Sequence, residues 1–285
     1  MNDLISVIVS TYNWEEALDA VLRALSRQSD RNFEIVIADD GSGPATAQVV
    51  REWAAKSGLP IKHVWHEDRG FRKSDILNRG IRVSAGTYVL FLDGDCIARP
   101  DFVATHRRLA RPGWFVTGTR ILLSAALTDR ILHQGLEPEL WGLGHWLALR
   151  ARRQLNRFTP LLKLPLGPLR KLSARRWHGA RGCNMALWRA DLENVDGFDS
   201  SFSGWGREDS DLFVRLIRAG VRRNNGRFAS GVLHLWHPDA DRSRLRENDR
   251  QLDEVLHSGR IAARRGLSVV DEMPPTPLKT REGNR

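Results

Sequence analysis

The stretch Thr87-Tyr-Val-Leu-Phe-Leu-Asp93-Gly94-Asp95 constrains this chain more than any other. Val89 to Leu92 is an unbroken apolar run, short and strand-favouring, as expected of a central strand buried on both faces. It stops abruptly at two carboxylates around a glycine. Ligands of open α/β sheets gather outside the carboxyl ends of the strands, so acid stands here where chemistry is expected. Asp-x-Asp at such an edge suits a divalent cation bound through hard oxygen ligands, with room for a substrate diphosphate. The same three residues would also serve as an Asp-Gly turn closing a hairpin. The surrounding chain decides between the two.

Strand and helix patterns alternate from the start. Leu4 to Ser10 reads as a buried strand, Glu15 to Gln28 as a helix with Ala17, Val21, Leu22 and Leu25 inward, and Phe33 to Ala38 as a second strand. Pro44 to Lys56 reads as a helix closed by Gly58 and Pro60, Ile61 to His66 as a third strand, and Ser74 to Ala85 as a helix before the Val89 strand. This is the signature of a wound α/β fold, a Rossmann-like and mostly parallel central sheet flanked by helices. Polar clusters follow three of the strands: Thr11-Tyr12-Asn13, Asp39-Asp40-Gly41-Ser42 and Asp93-Gly94-Asp95. If the strands lie side by side, all three clusters line one edge of the sheet.

Taken as an ordered set, Ser6 to Asn13, Ile35 to Ser42, Asn78-Arg-Gly80 and Phe91 to Asp95 resemble the GT-A fold, family 2 glycosyltransferases. Gly70-Phe71-Arg72 and the later Gly204-Trp-Gly-Arg-Glu-Asp209 resemble the branch with a galactosyltransferase-type C-terminal half, as in chondroitin polymerase and the β-1,4-galactosyltransferases. The resemblance spans residues 4 to 240 and implies an inverting, metal-dependent transfer of a sugar from a nucleotide donor, UDP-linked, to a hydroxyl of a glycan acceptor. It implies a single GT-A domain over 1–265, with a nucleotide-binding half (1–100), a basic and apolar insertion (101–176) and an acceptor and catalytic half (177–265). Residues 266–285, with Pro274, Pro275 and Pro277, read as a poorly ordered tail.

The resemblance also assigns residues. Thr11, Tyr12, Asn13 and Asp39 would hold the nucleoside, Asp39 accepting from a base N–H. Arg72 and Lys73 would meet the diphosphate, one as a planar fork and the other as a point charge. Many family members carry Arg directly before the helical Asn78, and here that position is Leu77, which puts more weight on Arg72. Asp93, Gly94 and Asp95 complete the donor side, with Asp95 on the metal and Gly182 and Asn184 approaching the donor sugar. His234 closes the metal site in this reading, with His237 in reserve. Imidazole is compatible with Mn²⁺ whereas Mg²⁺ prefers oxygen, so Mn²⁺ is the first choice and Mg²⁺ the second. Asp209 is the general base. Glu208 orients the acceptor hydroxyl, and Trp205 and Gly206 form a flexible lid with an aromatic platform for sugar. The residues alone allow another account of the acids: Leu212, Phe213, Leu216 and Ile217 mark a helix, and acids at its N-terminus complement its dipole.

Charge and cysteine usage bear on setting. The formal charge is +10, yet between Leu140 and Ala190 there are eleven Lys and Arg residues and no acid, so the excess is local. Trp141, Leu143, Trp146, Leu147 and Leu149 precede Arg150, Arg152, Arg153 and Arg157, and leucines and prolines alternate with bases through Pro168. Such a mixture suits an anionic membrane surface, and it equally suits an insertion packing its leucines on the core beneath a solvated basic face. Cys96 and Cys183 form no disulfide framework, and Leu4 to Val9 is too short for a signal peptide or a span. A cytoplasmic protein is expected, peripheral on the inner face of the membrane and acting in bacterial lipopolysaccharide or other cell-surface polysaccharide synthesis on a lipid-linked or free glycan. Two rivals differ in class. A nucleotidyltransferase would want a glycine- and lysine-rich phosphate loop, which Ser10 to Asn13 is not. A non-catalytic nucleic-acid-binding protein would use the basic charge, but the bases lie among leucines and prolines and no nucleic-acid motif accompanies them.

Overall fold

The computed structural model describes residues 3–270. In the first part of the chain β1 (Ile5–Thr11), α1 (Glu15–Ser26), β2 (Phe33–Asp39), α2 (Pro44–Lys56), β3 (Ile61–Trp65), α3 (Lys73–Val83) and β4 (Tyr88–Asp93) follow the expected alternation. After them come β5 (Cys96–Ile97), α4 (Phe102–Leu109), β6 (Trp114–Thr117), β7 (Thr119–Leu122), α5 (Ala125–His133) and α6 (Leu143–Ala151). The last part holds β8 (Asn184–Trp188), α7 (Arg189–Asn194), α8 (Glu208–Arg218), β9 (Arg222–Asn225), β10 (Gly231–His234), α9 (Leu245–His257) and α10 (Leu267–Val270).

Seven strands make one sheet in the order β3-β2-β1-β4-β8-β6-β9, with β8 antiparallel to both β4 and β6. The period of two along each strand splits the core between the two faces. Val7, Val9, Ile35, Ile37, Leu90 and Leu92 pack toward α1 and its neighbours, whereas Ile8, Val36, Ala38, Val89 and Phe91 pack toward α3 and α8. Strands so fully covered read as continuous apolar runs, which is why the Val89 stretch carries no alternation.

Register then places the polar strand ends. Thr11 pairs with Asp39 and Ser10 with Asp93, so the three clusters stand level along one edge. A second sheet, β5-β10-β7, sits beside that edge and pairs His234 with Cys96. Gly94 is required where the chain turns between the sheets. Its N–H donates to Ser10 O at 2.7 Å, and a Cβ there would stand 2.8 Å from the same oxygen.

The basic insertion is partly core. Trp146, Leu149, Leu155 and Leu161 are buried in the cluster beneath β1 and β4, each such side chain worth about 1.5–3 kcal/mol. Others of its leucines, among them Leu140, Leu143, Leu147 and Leu164, are exposed. The stretch expected to be a loose tail opens differently: Leu267 is buried and α10 lies against α3. The reason is packing, because Leu267 fills the space over Gly197. The prolines of that stretch lie outside the described residues.

Candidate active site

A cavity of about 550 Å³ opens at the strand edge, lined by Thr11, Tyr12, Asn13, Asp40, Lys73, Asp93, Gly94, Asp95, Trp205 and His237 among others. Asp93 Oδ1 accepts from Ser10 Oγ at 2.9 Å and from Lys73 Nζ at 2.5 Å. Burial pushes the Lys73 ammonium toward neutrality, but the Asp93 and Glu208 carboxylates outweigh that and raise its pKa. Lys73 is therefore a fixed positive charge between Asp93 and Glu208.

Asp95, beyond Gly94, belongs to a cation-ready cluster. Asp95, His234 and His237 each offer a ligand atom, and these atoms lie within 4.8 Å of one another. Asp95 Oδ2 stands 3.5 Å from His234 Nε2 and 3.3 Å from His237 Nε2. Burial alone would raise the Asp95 pKa; the two imidazoles pull it down to about 2. Burial lowers His234, while the bond to Asp95 raises His237. His237 Nδ1 stands 2.7 Å from Pro238 O, and donating there leaves Nε2 free to coordinate. Two imidazoles and a carboxylate fit a first-row divalent metal better than a site built for oxygen alone. The pairing of β10 with β5 brings His234 beside Asp95, and Leu235 N–H donates to Asp95 O at 2.9 Å. His237, held in reserve by sequence reasoning, is brought in alongside His234.

Glu208 and Asp209 open α8, three acids standing in its first turn. They share a small enclosure with Ser10, Lys73, Asp93 and Gly182. Asp209 Oδ2 accepts from Gly182 N–H at 3.0 Å. Burial and the neighbouring Asp209 push the Glu208 carboxyl up to about 7, and its Oε2 has no hydrogen-bond partner. Trp205 lines the cavity, with the Arg242 guanidinium 5.1 Å from its ring centre. Tyr12 is half exposed, its hydroxyl donating to Asp68 Oδ2 at 2.8 Å.

Several residues assigned from sequence are engaged in bonds within the protein. Asp39 is fully buried, with one oxygen accepting from Ser42 N–H at 2.8 Å and the other 2.9 Å from His63 Nε2; Asp40 lines the cavity but is also buried, one oxygen 2.7 Å from His66 Nε2 and the other accepting from Arg72 N–H at 3.0 Å. Asn78 is buried and bonds both the N–H and the carbonyl of Phe198, tying α3 to the loop before α8. Asn184 is buried against His106, Ser230 and Thr119, locking β8 to the second sheet. Gly182 contributes its N–H to Asp209. Arg72 donates to Glu67 O and lines an adjoining cavity of about 510 Å³ with Trp205 and Arg244. Asn13 caps the turn before α2, its Oδ1 accepting from Gly43 N–H. Finally, the Gly204–Gly206 loop is not free: buried Asn248 of α9 donates to the carbonyls of Ser203 and Gly206 at 3.1 and 2.9 Å. Nothing in the sequence around Asn248 marks it, because its partners are backbone atoms over forty residues away.

The model for glycosyl transferase family 2 matches residues 6–161, more than half of the chain. The chain belongs to that family. A second model, described as the N-terminal domain of galactosyltransferase, matches residues 172–238. Both rival readings, nucleotidyltransferase and non-catalytic binding protein, fall with this membership.

Among curated proteins, this family 2 chain is 32% identical over 242 residues to validoxylamine A glucosyltransferase of Streptomyces hygroscopicus subsp. limoneus, covering 80% of the chain and 51% of that protein. It is 28% identical over 235 residues to the chondroitin synthase of Pasteurella multocida, covering 76% and 23%. The chain thus spans about half the length of the first of these relatives and less of the second. Among solved structures, S. aureus TarS 1-349 in complex with UDP superposes with a TM-score of 0.58 at 17% identity, covering 94% of this chain and 68% of that one. A mannosyltransferase from Pyrobaculum calidifontis, in complex with GDP-Man and Mn²⁺, gives 0.56 at 22% identity, covering 83% and 58%. At those identities the likeness establishes the GT-A fold. Among the described residues, no helix is long and apolar enough to cross a membrane.

Proposed function

We propose that this family 2 glycosyltransferase moves a sugar from UDP to a hydroxyl of a glycan acceptor in one inverting displacement. The observation that carries the reading is Lys73, bonded to Asp93 on the donor side and charge-coupled to Glu208 on the other. Its two partners, Asp93 and Glu208, support a reaction path that runs from the donor side to the carboxylates that open α8. The acceptor oxygen attacks the anomeric carbon, the bond from that carbon to the diphosphate breaks, and Asp209 takes the acceptor proton. Glu208 orients the hydroxyl, Trp205 and Gly206 seat the acceptor ring, and Lys73 faces the leaving diphosphate. Thr11, Tyr12 and Asn13 hold the nucleoside, with Asp39 paired beside Thr11 at the end of β2. Asp95, His234 and His237 would hold a divalent cation, which supplies Lewis-acid stabilisation of the leaving group. Mn²⁺ suits two imidazoles better than Mg²⁺ does.

The acceptor belongs, in this reading, to bacterial lipopolysaccharide or another cell-surface polysaccharide, and a bacterial chondroitin synthase stands among the relatives. Exposed Leu143 and Leu147 beside Arg150, Arg152 and Arg153 support peripheral binding to an anionic membrane from the cytoplasmic side. Donor hydrolysis tests the core of the proposal. A panel of UDP-sugars with Mn²⁺ should contain one that is hydrolysed, EDTA should stop it, and Asp95→Ala should lose it. Turnover that survives EDTA would overturn the metal assignment. No hydrolysis of any UDP-sugar, alongside hydrolysis of a GDP-sugar, would move the donor.

A further inference from the structure

The local excess of positive charge is not absorbed by the reaction just described. Four arginines from separate segments converge beside it: Arg120 on β7, Arg157 in the insertion, Arg181 before β8 and Arg227 in the turn after β9. Backbone bonds bring them together. Asn156 and Leu122 exchange two hydrogen bonds, which sets Arg157 next to the end of β7. Gly226 N–H donates to Thr117 O and Thr119 N–H to Ser230 O, which folds the Arg227 turn against the start of the same strand. Asn184 Nδ2 donates to both Thr119 O and Ser230 O, and this draws in the segment carrying Arg181.

No ion pair joins any of the four to a carboxylate of the described residues. Their mutual repulsion is felt at Arg157, whose pKa burial lowers and Arg181, Arg120 and Arg227 lower further. Arg157, Arg181 and Arg227 are exposed, so a ligand can reach them. A cluster of like charges without a counter-ion destabilises the fold unless an anion completes it.

Its location says which anion matters. Arg181 precedes Gly182, whose N–H holds Asp209, and Arg120 pairs in register with Val232, two residues before His234. The cluster therefore borders both the base and the metal end of the site. We propose that Arg120, Arg157, Arg181 and Arg227 bind a phosphate group carried by the acceptor, so that this enzyme glycosylates a phosphorylated sugar or a lipid-linked one. The guanidinium fork matches phosphate oxygens two at a time, and several forks from different directions fix the group's position as well as its charge. The inference rests on the glycosyltransferase reading for the word acceptor; the anion site itself stands without it.

Titration calorimetry in EDTA, which keeps phosphate off the Asp95 cluster, tests the site. Wild-type protein should bind glucose 6-phosphate saturably, bind inorganic phosphate in competition with it, and ignore glucose. The double variant Arg157→Gln/Arg181→Gln should weaken glucose 6-phosphate by about ten-fold or more, with a melting temperature no lower than that of the wild type. Should that pair misfold, Arg227→Gln alone should weaken binding in the same direction. Flotation with vesicles of phosphatidic acid in phosphatidylcholine, run with Arg150, Arg152 and Arg153 reversed to Glu in both proteins, separates the sources: binding that the Arg157→Gln/Arg181→Gln change removes assigns a lipid phosphate, and its absence beside glucose 6-phosphate binding assigns a soluble one. Wild-type protein that binds none of these anions, or variants that bind them as wild type does, would overturn the site. Hydrolysis of UDP-sugars by the wild type is scored separately, so the two readings can fail independently.

Discussion

Glu208 and Asp209 are adjacent in sequence but do different things in the structure. Asp209 is anchored by Gly182 N–H, whereas Glu208 keeps one oxygen unpartnered and a pKa of about 7. A general base acts in the transition state and need contribute little to donor affinity. Asp209→Asn should therefore lose about 10²–10⁴ in kcat while UDP and Mn²⁺ bind as before. Near-normal kcat in that variant, with the full loss appearing in Glu208→Gln, would transfer the role to Glu208. The raised Glu208 pKa also predicts a stability effect. Its folded value lies above the unfolded carboxylate value of 4.5, so the folded state binds the extra proton between pH 4.5 and about 7. Its contribution is fully present below that window and is lost as pH rises through it. Melting curves of Glu208→Gln against wild type should thus diverge from pH 5 to pH 8, the variant gaining. Curves that stay parallel would show that Glu208 is ionised at no cost.

At the scale of elements, the loop before α8 depends on α9. Asn248 holds the carbonyls of Ser203 and Gly206, and Arg207, left-handed at φ 79°, pairs with Asp249 at 2.5 Å. These bonds tie the backbone on both sides of Trp205. Replacing Asn248 by Ala leaves two carbonyls without their donor, at a cost of about 1–3 kcal/mol. The expected kinetic signature is a raised acceptor KM with UDP affinity unchanged. An unchanged acceptor KM would restore a mobile loop and remove the platform role of Trp205. The strand ends show the same dependence. Asp39 and Asp93 both follow apolar strands, and both read from sequence as donor contacts. Side-chain direction separates them, since Asp39 turns onto Ser42 and His63 while Asp93 turns to Lys73.

Across the described residues, buried polar ties such as Asn78 to Phe198 link distant segments around the seven-stranded sheet, and the insertion packs under β1 and β4. That packing leaves Leu143 and Leu147 facing out, next to Arg150, Arg152 and Arg153. Reversing those three arginines to Glu should release the protein from anionic vesicles, each basic residue contributing about 1 kcal/mol at such a surface. The melting temperature should hold, since the buried face of the insertion is untouched. Wild-type protein that fails to sediment with anionic vesicles at low salt would leave these leucines as ordinary exposed side chains.

Local pattern determined the alternating strands and helices, the parallel core and the acid-bearing strand end, because apolar periodicity is a property of neighbouring residues. It also carried the short motifs, Asp93 to Asp95 and Gly204 to Asp209, whose chemistry lies within a few positions. Tertiary structure alone decided the rest. His237, beyond the end of β10, joined His234 at Asp95, and Asp39 turned onto Ser42 and His63 at a strand end. Asn184 and Asn78 went to structural bonds, and Leu267 to the core, through contacts between distant segments. Polar side chains choose partners only once backbones far apart in sequence have met, and that choice leaves no mark on the residues beside them.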